Sequence, residues 1–436
     1  MSVGRQKAVE RHREFFLKVA RQSGADWQRA DTNAAQMRHA WEQSGPDDLA
    51  MLHAWASALS SFYTLRGYWD DERALKHRTL TAARQAHNEH LEAWCLHELG
   101  YLAEKQDRFE EALHCYRNAL RLRQKLQIAA EIAATMANLG GVYQRQGRLT
   151  EALTLFEQAL SVFQSSEDQQ AEANVVNSIA GVYQAQGDRD TAVAWYQRSL
   201  EIRRALQDHG GEAVVLNNLA SLYLRSGQIE EAIGLWEQVL TLRRNTGNRL
   251  GEAATLANLG AAFRQRKQLS EAIAHWEAAL TIRRALGIDD GEVALLSNIA
   301  AAYTAQRKIE QALHVWQTVL NLQVTSNDEA GLITTHTQLG GLFGGTGNWE
   351  QALVHFEQAL TRQQRQDDRE GMAKTLGNIG AVWYLRGDLD VAIESFDASV
   401  TIYQELSHPR VQEAAEMLAE LRAERDGLQQ PLANKQ

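Results

Sequence analysis

The chain has 436 residues, a formal net charge of −10 at pH 7, 3 prolines and 2 cysteines. The acidic balance argues against a nucleic-acid-binding protein, which needs a basic surface. Two cysteines cannot build a disulfide framework, so a reducing compartment is expected. The chain contains no apolar run of about eighteen residues that would span a membrane. Its polar start, Met1 to Arg13, lacks the apolar core of a signal peptide. These features predict a cytoplasmic protein.

Residues 1–50 are predicted to form an N-terminal helical arm. Residues 11–17 (RHREFFL), 31–35 (DTNAA) and 65–69 (LRGYW) resemble the start of the helical sensor arm of STAND-type signalling ATPases. In that family the arm follows a nucleotide-binding domain, but no phosphate loop of the form G-x-x-x-x-G-K-[ST] occurs in this chain. The resemblance therefore implies a sensor part, and the sequence leaves open whether it stands alone or belongs to a larger protein.

From residue 91 to 410 one pattern recurs every forty residues, as in Asn138-Leu139-Gly140 and Asn258-Leu259-Gly260. Counting Ala133 as position 1, position 20 is alanine in all seven following units, position 24 is aromatic and position 28 is aliphatic. Spacings of four place these residues on one helical stripe. Position 15 is usually glycine, which suits a left-handed end of the first helix. Each unit is thus predicted to be helix, tight turn, helix.

This pattern resembles the tetratricopeptide repeat in its forty-residue form, as in kinesin light chains and Pins-type adaptors. The resemblance covers residues 91–410 as eight units, and one degenerate unit fits from Met51 to His90. It implies an all-α, right-handed superhelical solenoid of about nine helix pairs over residues 51–410. Residues 411–426 are predicted to form a capping helix, and Gly427 onward a frayed tail that completes the segment 411–436. The usual proline after the second helix is missing, and that helix is predicted to run through Arg203 and Arg204.

The repeat also predicts how the helices pack. Small residues at positions 8 and 20 allow the two helices of a unit to approach closely, and the aromatic residue at position 24 fills the adjoining space. The tryptophans Trp236, Trp276 and Trp316 are therefore assigned to the core. The glycine-rich stretch from Gly340 to Gly347 is interpreted as a soft eighth unit, because glycine weakens a helix by roughly 1 kcal/mol relative to alanine.

A ligand-binding face follows from the helical wheel. Positions 4, 7, 8 and 11 of the first helix centre on the buried side, so positions 2, 5, 6, 9 and 13 point away from it. By family resemblance that opposite face lines a concave groove. An amide offers a donor and an acceptor that match a peptide backbone, and small residues at position 9 leave room for one. The candidate ligand-binding residues are Asn138, Asn177, Asn217, Asn218, Asn258, Asn298, Gln338 and Asn378, with Arg145 and Arg225 at position 13.

Two features allow other interpretations. The amides could instead bond between adjacent first helices as a polar spine that fixes their stacking, and both roles could coexist. The arginines at positions 31 and 32 could bind an acidic ligand, but an ion-pair ladder with Glu172, Glu212, Glu252 and Glu292 of the next unit is favoured. The cluster of His87, His90, Cys95, His97 and Glu98 matches no metal-ligand spacing, so no metal is predicted.

The sequence predicts a non-catalytic scaffold or sensor module that recognises a peptide segment or protein partner, in bacterial-type signalling. A stand-alone intracellular receptor for a short signal peptide is the alternative. An enzyme is disfavoured because the repeats leave no room for a catalytic domain. No cofactor, nucleic acid or membrane partner is expected, and the oligomeric state is open.

Overall fold

The computed structural model describes residues 3–22, 27–45 and 47–429, in which all regular secondary structure is helical. The chain divides into two compact units, Met1–Leu222 and Tyr223–Gln436. Residues 1–2, 23–26 and 46 of the predicted arm, and 430–436 of the predicted tail, lie outside the described residues. The first three helices are α1 (Val3–Arg21), α2 (Trp27–Thr32) and α3 (Ala34–Glu42).

Nine helix–turn–helix pairs follow between residues 49 and 405, which confirms the predicted number of pairs. In the first unit they are α4 (Leu49–Arg66) with α5 (Trp69–Gln85), α6 (Glu89–Lys105) with α7 (Phe109–Leu126), α8 (Ala129–Arg145) with α9 (Leu149–Ser165), and α10 (Gln169–Gln186) with α11 (Arg189–Ala205). The unit boundary falls within α12 (His209–Arg225), which precedes α13 (Ile229–Asn245). The second unit continues with α14 (Arg249–Gln265), α15 (Leu269–Ala285), α16 (Glu292–Ala305), α17 (Ile309–Ser326), α18 (Glu329–Gly345), α19 (Trp349–Arg365), α20 (Arg369–Arg386), α21 (Leu389–Glu405) and α22 (Val411–Gln429).

Left-handed residues end the helices at intervals of twenty. The predicted left-handed glycine at position 15 is confirmed, and Lys267 (φ 65°) and Arg307 (φ 59°) adopt the same conformation where glycine is missing. The second helix of each pair also ends in a left-handed residue, usually not glycine: His87, Gln127, Glu167, Gln207, Gly247, Gly287, Asn327, Asp367 and Ser407. Most of these links have two or three residues, although α15–α16 has six and α21–α22 has five. A short link leaves the chain little choice of path, so the backbone conformation is imposed there whatever the side chain.

The predicted packing within a pair is confirmed. Alanine at position 20 has no exposed surface in any of the seven units, and Trp236, Trp276 and Trp316 are buried. Glycine at position 8 lies directly against the aromatic ring at position 24. A Cβ atom on Gly140 would lie 2.9 Å from the Phe156 ring, and one on Gly340 would lie 2.7 Å from the Phe356 ring. The absent side chain therefore sets the separation of the two helices.

The first unit begins with an apolar cluster that joins the N-terminal helices to the first pair. Leu17 from α1, with Met37 and Trp41 from α3, packs with Trp55 and Tyr63 of α4. The Trp41 indole N–H donates to the Tyr63 hydroxyl at 3.1 Å, so the polar atoms of both rings are satisfied inside the cluster.

The last helix differs from the prediction. Helix α22 continues through Gly427 to Gln429, where a frayed tail was expected. Leu418 and Leu421 pack against Ile393 and Val400 of α21. Beyond these contacts the helix carries mainly polar residues, and propagation adds a hydrogen bond with each residue, so one glycine near the end does not stop it.

Two histidines face each other inside the eighth pair. His336 Nδ1 of α18 lies 3.0 Å from His355 Nδ1 of α19, and Phe343 stacks on the His355 ring at 5.4 Å between centroids. Burial, with His355 and Arg362 nearby, lowers the pKa of His336 to about 4. Burial also lowers the pKa of His355. Both rings are therefore neutral near pH 7, one donating through Nδ1 and the other accepting.

This pair predicts a pH-dependent loss of stability. Because the folded-state pKa of His336 lies below its ordinary value of 6.5, the unfolded chain takes up the proton first as pH falls. Between pH 7.0 and 5.5 we expect His336 to remove about 1 kcal/mol from the free energy of unfolding. His336→Asn keeps a hydrogen-bonding group near the Nδ1 position and does not titrate. Chemical unfolding at both pH values should show a smaller decline for this variant, and equal declines would contradict the assignment.

Candidate ligand-binding face

The predicted amides lie on one side of the first helices, between buried and solvent-facing residues. We call this side the amide face and define it by positions 5, 6 and 9. Its seven predicted asparagines are half-buried and Gln338 is exposed. The residues at positions 7 and 8 next to them are buried in every unit from Ala133 onward, as Leu139 and Gly140 are in α8. Each amide thus projects from the edge of a packed helix.

Within the compact unit Met1–Leu222, these amides form contacts between the first helices of neighbouring pairs. The Asn218 Nδ2 of α12 donates to the Asn177 Oδ1 of α10 at 3.1 Å. The side-chain amide of Asn138 in α8 lies 3.1 Å from His97 Nε2 in α6. Both contacts join position 5 of one first helix to position 6 of the next. This is the geometry of the polar spine that the sequence left open, and it uses only part of each amide's bonding capacity.

His97 is a member of this face that the sequence analysis left out. Burial, together with the nearby Arg123 and Lys76 charges, lowers its pKa to about 3, so the ring is neutral near pH 7. His97 Nδ1 accepts a hydrogen bond from Arg123 Nη1 at 3.0 Å. The ring proton then resides on Nε2, which donates to the Asn138 amide oxygen when that amide is turned to present it. In both contacts between first helices the partners are 41 residues apart in sequence. A search for polar residues 41 positions before each position-6 amide would have found His97.

The second unit shows a related contact with a different donor. Arg264 Nη1, at position 12 of α14, donates to Asn298 Oδ1 of α16 at 3.3 Å. Gln338 lies beside a cleft of about 510 Å³ whose walls include Thr304, Arg307 and Gly341. Asn378 lies beside a separate cavity between α20, α21 and α22. The amide face of this unit therefore adjoins open space at two places.

The two arginines predicted for the face differ in their surroundings. Arg145 ends α8 and reaches back to the preceding pair, where it donates to the Glu104 carbonyl oxygen at 3.1 Å and forms an ion pair with Asp107. Its guanidinium also lies 5.0 Å from the centre of the Phe109 ring. These contacts give Arg145 a role inside the fold. Arg225 is exposed at the end of α12.

The arginine rows split into two sets. At position 32, the predicted ion-pair ladder is present: Arg204 pairs with Glu212 at 2.7 Å, Arg244 with Glu252 at 2.9 Å and Arg284 with Glu292 at 2.6 Å. At position 31 the prediction was wrong for Arg203, which is buried and bonds to Asp208 and Asn174. Position 31 faces the next first helix, so its guanidinium meets the turn before that helix.

Loss of one ladder pair should have a small, salt-dependent effect. We expect Arg244→Gln to lower the free energy of unfolding by at most about 1 kcal/mol, because the guanidinium is half-exposed. Ion pairs at the surface are screened by salt, so the difference from wild type should shrink in 1 M NaCl. Urea unfolding with and without the added salt measures this. A larger loss that salt does not change would mean that Arg244 acts through packing.

The remaining motifs and titratable groups that suggested other chemistry have structural roles. The glycines from Gly340 to Gly345 belong to α18 and form no phosphate-binding loop. In the described ranges, no three His, Cys, Asp or Glu side chains are grouped to hold a metal ion. Burial raises the pKa of the Cys95 thiol to about 12 and that of Cys115 to about 11, so both are protonated. No helix in the described part of the chain has the length and apolar character needed to cross a membrane.

Comparison with known proteins supports the repeat assignment. The tetratricopeptide repeat profile matches residues 131–205, 211–285, 291–365 and 331–405, and a second profile of the same description matches residues 93–126. Together these matches cover more than half of the chain. No curated protein sequence matches it significantly.

Solved structures share the fold at low sequence identity. A STAND protein with a tetratricopeptide repeat sensor, PH0952 from Pyrococcus horikoshii, matches with a TM-score of 0.64 and 14% identity over 88% of this chain and 57% of its own. The chain thus spans little more than half of PH0952. The apo form of the quorum sensor NprR from B. thuringiensis matches with a TM-score of 0.50 and 12% identity, covering 82% and 99%. Kinesin light chain TPR-like repeats from Podosopora anserina match with a TM-score of 0.40 and 22% identity, covering 45% and 97%.

The profile matches and the PH0952 and NprR structures confirm the fold class that the forty-residue pattern predicts. The profile matches keep the phase of the repeat, because three of the four longer segments begin eighty residues apart, at 131, 211 and 291. The chain belongs to the tetratricopeptide repeat family.

Proposed function

We propose that this chain is a non-catalytic binding module that holds a peptide segment or a protein partner against the amide face. The observation that carries the proposal is the recurrence of half-buried side-chain amides beside small residues at position 9. A Cβ atom on Gly341, next to Gln338, would meet nothing within 4 Å, so a ligand chain has room to approach the helix there. An amide that bonds one neighbour still has capacity for a peptide group.

The biological setting is part of the same proposal. PH0952 is described as a STAND protein with a repeat sensor and NprR as a quorum sensor. By analogy we propose a cytoplasmic sensor or adaptor role in bacterial-type signalling, with a protein or peptide partner and neither nucleic acid nor membrane. The alternative is a stand-alone receptor for a short signal peptide, for which NprR is the relevant analogy.

The test is a peptide selection on wild type, followed by affinity measurements on one double variant for each compact unit. A random peptide library is selected against wild type, and the affinities of the selected peptides are then measured by calorimetry. Asn177→Ala/Asn218→Ala tests the first unit, and Asn298→Ala/Asn378→Ala tests the second. We expect at least one variant to lose about tenfold in affinity, since a hydrogen bond left unmade in a buried contact costs roughly 1–3 kcal/mol.

Matched controls separate ligand binding from helix stacking. Asn118 is half-buried and Asn321 is exposed, and both lie on second helices, outside the amide face. Asn118→Ala and Asn321→Ala should leave peptide affinity unchanged. Circular dichroism confirms that every variant is folded. If the amide-face variants lose stability but bind the selected peptides as tightly as wild type does, the amides serve only as a spine and the proposal is wrong.

A further inference from the structure

A cavity of about 340 Å³ lies between α20, α21 and α22, where the repeat ends. In the preceding units the aromatic residue at position 24 is buried, as Trp316 and Phe356 are. In the last unit the equivalent Phe396 is only partly buried. Helix α22 follows this unit but does not have the repeat sequence, so it covers the ring incompletely. The cavity is the space that remains.

Its walls are mostly apolar. Phe396 and Tyr403 of α21 form one wall, Ala381 of α20 another, and Ala414 and Met417 of α22 a third. Met417 is 46% exposed, so part of the apolar lining faces solvent. Burying this surface under a ligand's apolar body would be favourable at roughly 25 cal/mol per Å².

Two cations line the same cavity. Lys374 of α20 and Arg410, just before α22, are exposed, and neither forms an ion pair with another described residue. Other arginines nearby are paired: Arg369 with Glu405, Arg386 with Asp388 and Arg422 with Asp397. Glu413 is the single acidic residue of the wall, so the lining carries a net positive charge in a chain whose net charge is −10.

We infer that this cavity binds a small organic acid that has one carboxylate and an apolar body. The cations would hold the carboxylate through charge-assisted hydrogen bonds, and the Asn378 amide could donate a further one. The volume lies at the lower end of the ~300–1,000 Å³ range of small-molecule sites, and an apolar lining with a few polar groups is typical of them. The inference shares Asn378 with the amide face but names a different ligand, and its test variants leave Asn378 unchanged.

The experiment uses the full chain and three probes: 4-phenylbutyrate, octanoate and indole-3-acetate, each with its neutral amide as the matched control. Calorimetry should show at least one acid binding about tenfold more tightly than its amide. Lys374→Gln/Arg410→Gln should remove that preference. Lys18→Gln/Arg365→Gln removes the same charge at exposed sites away from the cavity and should keep it.

Several results would overturn the inference. The inference is wrong if none of the three acids binds, or if acid and amide bind equally. It is also wrong if the Lys374→Gln/Arg410→Gln variant binds the acid as wild type does. A fourth is that peptides with a free carboxyl terminus bind in a manner that depends on Lys374 and Arg410 while all three acids fail. That result would assign the cavity to the end of a polypeptide. Failure here would leave the peptide selection with the asparagine variants unaffected, so the two proposals are tested separately.

Discussion

We expect the Lys76→Met variant to lose about 3–5 kcal/mol of its free energy of unfolding, the largest effect predicted for a single substitution in this chain. The side chains of Lys76 and Glu72 are 1% and 2% exposed and form an ion pair at 2.8 Å. The Lys76 ammonium also lies 3.1 Å from Glu98 Oε2 and donates to the Ser60 hydroxyl at 3.1 Å. One cation thus joins α4, α5 and α6.

The physical reason is the charge that the substitution leaves behind. Without the ammonium, the buried Glu72 carboxylate keeps only the hydroxyls of Ser60, at 2.7 Å, and Thr64, at 3.1 Å. Removing one partner of a buried pair is costly because the other charge loses its counterion in a region of low dielectric constant. Methionine preserves most of the volume of lysine, so lost packing contributes little.

Urea unfolding of three variants measures the effect. Lys76→Met/Glu72→Gln removes both charges and should recover most of the stability that Lys76→Met loses. Arg204→Met removes the cation of an exposed pair and should cost at most about 1 kcal/mol. If Lys76→Met loses no more than Arg204→Met, or if Glu72→Gln brings no recovery, the buried charge is not what Lys76 stabilises.

This cluster also shows where sequence reasoning reached its limit. The unit from Met51 to His90 is degenerate, so its polar residues could not be assigned to core or surface from the pattern. Elsewhere the pattern was sufficient. Position 20 alanine and position 24 aromatics predicted a close helix pair, and glycine at position 15 predicted the left-handed turn. Those features depend on residues within one repeat, and the same residues recur at the same positions in the other repeats.

The candidate site was predictable in part. The helical wheel pointed the asparagines away from the buried side, whereas the structure has them half-buried at its edge. The wheel could not identify their partners, because His97 and Arg264 meet Asn138 and Asn298 only through the lateral offset between neighbouring first helices. That offset is a property of packing between pairs. The C-terminal cavity was equally beyond reach, since it depends on how α22 seats against α21 after the repeat has ended.

We expect Gly260→Ala to destabilise the second unit by about 2–3 kcal/mol through the overpacking of one helix pair. A Cβ atom at Gly260 would lie 2.6 Å from Trp276 Cδ1. The indole ring is rigid and buried, and its Nε1 donates to the Ala257 carbonyl oxygen at 3.1 Å. The ring therefore cannot turn aside without breaking that hydrogen bond, and the helices α14 and α15 must separate instead.

The matched control is Gly341→Ala, which lies in the same compact unit, Tyr223–Gln436. Gly341 occupies position 9 of its repeat, whereas Gly260 occupies position 8. Gly341 lies inside α18, and a Cβ atom there meets nothing within 4 Å. Alanine should therefore raise stability by about 0.5–1 kcal/mol, since only the helix preference changes. Chemical unfolding of both variants against wild type measures the two shifts. Opposite signs would establish that helix separation depends on the missing side chain at position 8. A stable Gly260→Ala protein would instead mean that the α14–α15 pair can widen at little cost.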